Sequence, residues 1–133
     1  MISIDEKSSR LVTVRFGSPL DMPEITNLVS TIASLVKSGD EPRVFCTDMR
    51  RVVIFPKDIG DRLVGLMRAD NSRIVKNGIL VNEGTILGLQ MARILREGAN
   101  PARRTFQDAE ILVEYLSDSL SPVEVAYVRS FLR

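Results

Sequence analysis

The chain has 133 residues, 44% of them hydrophobic and 26% charged, which is the composition of one ordinary globular domain. Its 18 basic and 17 acidic residues leave a net charge of +1, which excludes a general electrostatic attraction to nucleic acid or to anionic membranes. Histidine is absent, and with it the commonest general base, the commonest zinc ligand and any nucleophile activated by an imidazole, so we expect neither an enzyme nor a cofactor.

Two predicted strands, Ile2–Asp5 and Leu11–Phe16, lie on either side of a polar stretch that can form a hairpin turn. Along the second strand, the side chains of one face are all apolar, and we expect this face to meet the core. These residues are Val12, Val14 and Phe16.

The first predicted helix has the clearest pattern in the sequence. Asp21 can cap its N-terminus, and Pro23 suits its first turn because proline has no amide hydrogen to leave unpaired there. Gly39 is expected to end the helix in a left-handed conformation. A continuous apolar stripe follows the helical period: Ile25, Leu28, Val29, Ile32, Leu35 and Val36.

A strand over Arg43–Asp48 follows, and its consecutive apolar residues predict a central position in a sheet covered by helices. Met49–Phe55 is interpreted as a loop or a brief extension of this strand. Its apolar residues either fold over the sheet edge as part of the core, which we favour, or form an association surface. Pro56 then opens a second helix. The predicted buried face of that helix consists of Ile59, Leu63, Leu66 and Met67.

The second half of the chain repeats this alternation. A strand is centred on Gly78–Val81, a third helix begins at Thr85, and Arg103–Phe106 is a short strand expected at a sheet edge. Asp108 can cap a fourth helix. Ser121, followed by proline and then by a glutamate three residues on, forms a capping-box pattern that starts a final short helix.

This order of elements predicts an α/β domain in which a four- to five-stranded mixed sheet packs against four to five helices. We expect residues 1–133 to form a single domain, with residues 121–133 as an appended C-terminal helix.

The expected compartment is the cytoplasm. Cys46 is the single cysteine, which excludes a disulfide framework within the chain, and in a central strand it is expected to serve as a small apolar residue. The N-terminal residues are too few and too charged for a signal peptide. No apolar run approaches the ~20 residues needed to cross a bilayer, so we expect no membrane insertion.

Three segments carry a family resemblance. Val44–Asp48 is a strand ending in an aspartate, Pro56–Met67 is a helix opening on a proline, and Arg103–Glu110 joins a short strand to the start of a late helix. In this order they resemble the STAS-type fold of bacterial anti-sigma factor antagonists and the wider superfamily that includes the CRAL-TRIO lipid-binding domain. The resemblance implies a regulatory module that binds another protein.

In the signalling members of this family, a serine or threonine at the start of the second helix is phosphorylated to release a partner. This chain departs from that pattern, because no serine or threonine occurs between Asp48 and Asn71. Lys57 or Asp58 would occupy the position near the phosphorylation site, and the charge of Asp58 is more simply explained by the positive end of the helix dipole. We therefore expect a module without the phosphorylatable switch residue.

Two further patterns have an ordinary structural interpretation that we favour. Gly84–Gly88 lacks the glycine spacing and the terminal lysine of a phosphate-binding loop, and it is interpreted as a tight turn before a helix. Asp48, Asp58 and Asp61 could converge on a hard cation, but capping roles explain the last two without a metal.

Several arginines could form an anion-binding or RNA-binding patch. No aromatic residue alternates with them, so base stacking is unsupported, and solvated surface or the rim of a partner interface is the favoured interpretation. These arginines are Arg50, Arg51, Arg93, Arg96, Arg103 and Arg104.

We expect a non-enzymatic interaction module that binds a protein partner through the loop and helix start over Met49–Asp61. The alternative is a small protein that binds an apolar, lipid-like ligand between helices and sheet. A homodimer formed through an exposed helix or strand edge is also expected. The predicted partner-binding residues are Arg50, Arg51, Phe55, Lys57, Asp58 and Asp61.

Overall fold

A computed structural model describes residues 1–37 and 41–133 of the chain. This part of the chain forms a five-stranded mixed sheet and five α-helices, so the predicted fold class is confirmed. The strands are β1 (Ile2–Glu6), β2 (Leu11–Gly17), β3 (Arg43–Arg51), β4 (Ile74–Leu80) and β5 (Arg103–Phe106). The helices are α1 (Met22–Lys37), α2 (Lys57–Asp70), α3 (Ile86–Gly98), α4 (Ala109–Ser117) and α5 (Pro122–Phe131).

The spatial order of the strands is their order along the chain. β1 is antiparallel to β2, and the remaining neighbours are parallel. Each parallel crossover moves one place in the same direction, so the preference for right-handed crossovers puts α1, α2 and α3 on one face of the sheet. Their apolar residues form one core cluster with Val14, Phe45 and Ile79 of the sheet.

The opposite face of the sheet is covered by α4 and α5, which pack on a second core cluster that includes Val44, Cys46 and Leu80. Because β3 is buried on both faces, its apolar residues follow one another instead of alternating with polar ones. The predicted central position of this strand is confirmed. Both faces of the central strands are covered by helices, so the sheet meets solvent at the ends of its strands and along the edge strands β1 and β5.

The predicted helix starts agree with the structure. The Glu24 amide donates to Asp21 Oδ1 at 2.9 Å while the Asp21 amide donates to Glu24 Oε2 at 3.3 Å, which makes the start of α1 a reciprocal cap. α5 begins with the predicted capping box at Ser121. Gly39, the predicted end of α1, lies outside the described residues. None of the described helices combines the length and the apolar character needed to cross a lipid bilayer.

Two strands are longer than predicted. β4 begins at Ile74, and its first half is held by Lys76, whose ammonium lies 4.5 Å from the Tyr115 ring centroid and 2.6 Å from Asp118 Oδ1. β3 continues to Arg51, beyond the predicted end at Asp48. A Cβ at Gly78 in β4 would lie 2.9 Å from Leu112 side-chain atoms, so the glycine allows α4 to approach the sheet closely.

Candidate functional site

The carboxyl end of β3 contains a bulge that gathers charged side chains. Arg15 of β2 pairs with Asp48, whereas Gly17 pairs with Arg51, so β3 has one residue more than β2 over this interval. In a regular strand, Arg50 and Arg51 would point to opposite faces. At this bulge both line the same recess, which is the kind of side-chain redirection that bulges produce beside functional sites.

Asp48 lies at the centre of this group, with its side chain only 3% exposed. Its carboxylate accepts Arg15 Nε–H at 3.2 Å, and from Arg50 it accepts the backbone amide at 3.1 Å and the Nε and Nη2 hydrogens at 3.0 Å each. Burial opposes ionisation of this carboxyl, but the hydrogen bonds from Arg50 and then Arg15 outweigh burial and hold the pKa of Asp48 below its usual value. The group is therefore an ionised acid shared by two arginines.

The two arginines also fasten the C-terminal helix to the sheet. Arg50 Nη2 donates to the Leu132 carbonyl oxygen at 2.9 Å, and Arg15 Nη2 donates to the Phe131 carbonyl oxygen. The Arg15 guanidinium also lies 4.3 Å from the Phe131 ring centroid, a cation–π contact. These contacts fix both guanidinium groups in place, which is unusual for side chains at a domain surface.

A recess of about 290 Å³ opens beside these groups, and we call it the basic recess. Four of the five residues that line it are arginines and one is an aspartate, so the formal side-chain charge of the lining residues is +3. The lining residues are Arg15, Asp48, Arg50, Arg51 and Arg133. A concave, positively charged surface at the carboxyl ends of parallel strands is in the position where open α/β sheets bind ligands.

The loop that follows β3 divides its apolar residues between core and solvent. Val52 and Phe55 are buried, whereas Val53 and Ile54 are exposed. Two hydrogen bonds of 2.9 Å join the Phe55 backbone to the Gln90 side chain, one from the Phe55 amide and one to its carbonyl oxygen. The Val53 amide donates to Ser18 Oγ at 3.0 Å. The loop is thus held in one conformation that presents two aliphatic side chains to solvent.

The start of α3 adds two more exposed aliphatic residues beside this loop. Ile86 and Leu89 are three residues apart, so they lie on one side of the helix, next to the Gln90 that holds the loop. Val53 and Ile86 line one groove of about 360 Å³ together with Arg51. We call the four residues the apolar surface, and their exposed fractions are 73% for Val53, 51% for Ile54, 64% for Ile86 and 76% for Leu89.

The predicted partner-binding residues are distributed differently from our expectation. Arg50 and Arg51 lie together in the basic recess. Lys57 and Asp61 form an exposed ion pair of 3.0 Å on α2, and Asp58 Oδ1 accepts the Ile59 amide at 2.9 Å, as expected for an acid near a helix start.

Phe55 is buried in this conformation. Its side chain is 3% exposed, and its ring packs edge-on against Phe16 with centroids 6.4 Å apart. The aromatic ring belongs to the core, because the Gln90 hydrogen bonds turn this end of the loop inward. The partner contact of Phe55 stays a prediction, and in this conformation its neighbours Val53 and Ile54 are the residues of the loop that are exposed at the surface.

The other chemical interpretations gain no support from the described residues. Among residues 1–37 and 41–133, no group of three histidine, cysteine or acidic side chains could hold a metal ion, so Asp48, Asp58 and Asp61 do not converge. Gly84 has φ +68° in a turn, and Thr85 caps α3 by accepting the Gly88 amide at 3.2 Å. This is the turn and cap that we favoured over a phosphate loop.

Cys46 is buried in β3, in agreement with its predicted packing role. Burial, and then the nearby Asp48 carboxylate, raise the pKa of its thiol to about 12. A thiol with this pKa is almost entirely protonated at neutral pH, so it is a poor nucleophile and a poor metal ligand.

The cavity between the sheet and helices α1 and α2 bears on the apolar-ligand alternative. Its volume is about 50 Å³, a third of the ~150 Å³ engineered cavity that holds benzene. Most of its lining is apolar, but Asp70, Asn77 and Arg103 contribute polar groups. In this conformation it can hold a few water molecules, and a lipid chain would require α1 or α2 to move away from the sheet.

Sequence reasoning did not select Arg15, Arg133, Ile86 or Leu89 as site residues. Arg15 lies between Val14 and Phe16, which placed it only on the face of β2 opposite to the predicted core face. Leu89 could have been predicted as an exposed aliphatic residue, because it lies outside the buried stripe of α3 and therefore faces solvent.

No protein-family model matches this chain, and no curated protein sequence matches it. The functional argument therefore depends on the geometry of the basic recess and of the apolar surface.

Proposed function

We propose that the chain is a non-enzymatic, cytoplasmic protein-interaction module of STAS-like fold that binds a partner segment on the apolar surface. The observation that carries this proposal is the exposure of four aliphatic side chains, two from a loop and two from α3, of which Val53 and Ile86 line one groove. Scattered exposed apolar residues are ordinary, but a contiguous group beside a charged rim is typical of a docking site.

The order of the surface supports the proposal. A flexible loop would lose conformational entropy on binding, which weakens affinity. Here Val53 and Ile54 are flanked by the buried Val52 and Phe55 and fastened by the side chain of Gln90. The aliphatic groups are therefore presented before a partner arrives, so little of the binding energy is spent on ordering them.

The charge beside the surface suggests the chemistry of the partner. In the described part of the chain, no acidic side chain pairs with Arg51, which lines the groove that contains Val53 and Ile86. We therefore propose a partner segment with aliphatic residues followed by an acidic group. Apolar contacts would supply most of the affinity, and the acidic group would fix the orientation and increase the association rate.

The proposed recognition is constitutive on the side of this chain. Helix α2 begins after Pro56 without a side-chain cap. No serine or threonine occurs between Asp48 and Asn71, so this segment offers no hydroxyl group for a phosphorylation switch. Any regulation of the interaction would then come from the partner, or from its concentration.

A site-specific photo-cross-linker at Leu89 should capture a partner. The same reagent at Ile111, the matched control, should not. Ile111 is a 56% exposed aliphatic residue near the start of α4, on the opposite face of the sheet. With the captured partner purified, Leu89→Glu should weaken binding by about 30-fold or more, and Ile111→Glu should leave it unchanged.

Equal affinity of the wild type and the Leu89→Glu variant would refute the proposed surface. So would an equal loss of affinity in the Ile111→Glu variant, because a general effect on folding would then explain the result. Sedimentation of the protein alone tests the predicted homodimer. A wild-type dimer that Leu89→Glu converts to a monomer would assign the surface to a second copy of this chain instead of to a different partner.

A further inference from the structure

We propose that the basic recess binds a dianionic phosphate group. The recess shares Arg51 with the groove beside the apolar surface but differs from that surface in chemistry, because its lining consists of arginines and one buried carboxylate. This inference goes beyond the docking proposal, since a free phosphate would occupy the recess even if no protein partner used the apolar surface.

The charge balance of the recess favours a dianion. The Asp48 carboxylate is already occupied by four hydrogen bonds from Arg15 and Arg50, so it neutralises one of the four positive charges and no more. A carboxylate ligand would leave two of the three excess positive charges uncompensated. A phosphate dianion would leave one, which is a better electrostatic match for this site.

Suitable donors remain available after the internal hydrogen bonds are made. Among the hydrogen bonds of residues 1–37 and 41–133, none uses Nη1 of Arg15 or Nη1 of Arg50, and none uses the side chain of Arg51. Guanidinium groups present paired N–H donors with the spacing of phosphate oxygens. Three such groups border one concave space, so several oxygens of one phosphate can be bound together.

The recess is also organised in advance. The buried Asp48 carboxylate orients Arg15 and Arg50, and the Phe131 and Leu132 carbonyl oxygens hold the outer nitrogen of each. Long side chains usually lose considerable rotamer freedom when they bind an anion. For these two arginines that cost is already offset by the fold, and only Arg51 needs to become ordered.

Phosphate of this form has two sources, a free phosphorylated small molecule and a phosphorylated side chain of a partner protein. The test is a titration of the full chain, labelled with ¹⁵N, with inorganic phosphate, with a phosphoserine peptide and with the same peptide unphosphorylated. We expect saturable shifts at Arg15, Arg50 and Arg51 with both phosphate ligands. Tighter binding of the phosphopeptide assigns a partner's side chain, and tighter binding of free phosphate assigns a small molecule.

The variant Arg51→Gln should weaken phosphate binding at least tenfold, whereas Arg93→Gln should not change it. Arg93 is an exposed arginine of α3, so this control removes the same charge away from the recess. Shifts spread over all surface arginines, or equal affinity in the two variants, would overturn the proposal. Tighter binding of a short RNA than of either phosphate ligand would also overturn it, because the site would then be a nucleic-acid surface.

The Leu89→Glu variant separates the two proposals. If the docking proposal alone is wrong, this variant and the wild type bind phosphate equally while no partner distinguishes them. If the phosphate proposal alone is wrong, Leu89→Glu still loses the partner although no phosphate ligand shifts Arg51.

Discussion

Replacing Asp48 by asparagine tests the central electrostatic contact of the molecule. The change keeps the size of the side chain but removes the charge that pairs with Arg15 and Arg50. Breaking a buried ion pair costs about 3–5 kcal/mol when the remaining charge stays buried. Here the two arginine side chains are 28% and 33% exposed, so water can solvate part of each. We expect the free energy of unfolding at pH 7 to fall by about 2–3 kcal/mol.

The pH dependence of this loss identifies its cause. Hydrogen bonds from Arg50 and Arg15 hold the pKa of Asp48 below its usual value despite burial. A carboxyl with a lowered pKa stabilises the fold above its unfolded-state pKa of about 3.9 and loses this contribution as the pH falls through its folded-state pKa. The difference between wild type and variant should therefore be constant from about pH 5 to 8 and should shrink below about pH 4.

Urea denaturation of both proteins across this pH range measures the difference directly. Asp61→Asn is the matched control, because Asp61 forms an exposed ion pair with Lys57 and its loss should cost less than about 1 kcal/mol. A difference below about 1 kcal/mol at pH 7, or one that persists unchanged at pH 3, would refute the assignment of Asp48 as an ionised and stabilising group.

Three further substitutions or treatments test other parts of the structure. Phe55→Ala should lower the free energy of unfolding by about 3–5 kcal/mol while Val53→Ala changes it by about 0.5 kcal/mol or less, and equal effects in denaturant titrations would place Phe55 outside the core. The Cys46 thiol, whose pKa is about 12, should not react with a disulfide reagent at pH 8 until the protein is unfolded, and rapid labelling of the native protein would contradict its burial. Burial, partly offset by Arg103, raises the pKa of Asp70, so its contribution to stability is present at low pH and lost as the pH rises through its folded-state pKa. Asp70→Asn should therefore be more stable than wild type at pH 7, with a gap that narrows toward pH 4, and a gap independent of pH would exclude this explanation.

Local features of the sequence were sufficient to predict most of the fold. The apolar stripe of α1 and the capping residues Asp21 and Ser121 act through contacts within a few residues, so their patterns are visible in the chain. The central position of β3 was predictable because a strand covered on both faces has no polar side to show.

The site was less predictable because its parts are distant in sequence. The extension and bulge of β3 depend on pairing with Gly17, and the alternation of the strand gives no sign that Arg50 and Arg51 face one recess. Sequence reasoning left Phe55 both in a segment favoured for the core and among the partner contacts, because the direction of its side chain depends on Gln90, 35 residues further along the chain. Sequence spacing locates side chains within an element, and register between elements requires the structure.

The proposed anion binding shares Asp48 with the stability of the domain but also uses Arg51, and Arg51 makes the two properties separable by experiment. Asp48 both stabilises the domain and orients Arg15 and Arg50, so Asp48→Asn should lose stability and phosphate affinity together. Within the described residues the side chain of Arg51 makes no hydrogen bond or ion pair, so Arg51→Gln should lose phosphate affinity without loss of intrinsic stability. A ligand that binds the folded state stabilises it by about 2.7 kcal/mol when its concentration is 100 times its dissociation constant. At that concentration, phosphate should therefore raise the melting temperature of the wild type and raise that of Arg51→Gln by about half as much or less. An equal rise in both would mean that the anion stabilises the protein at another place.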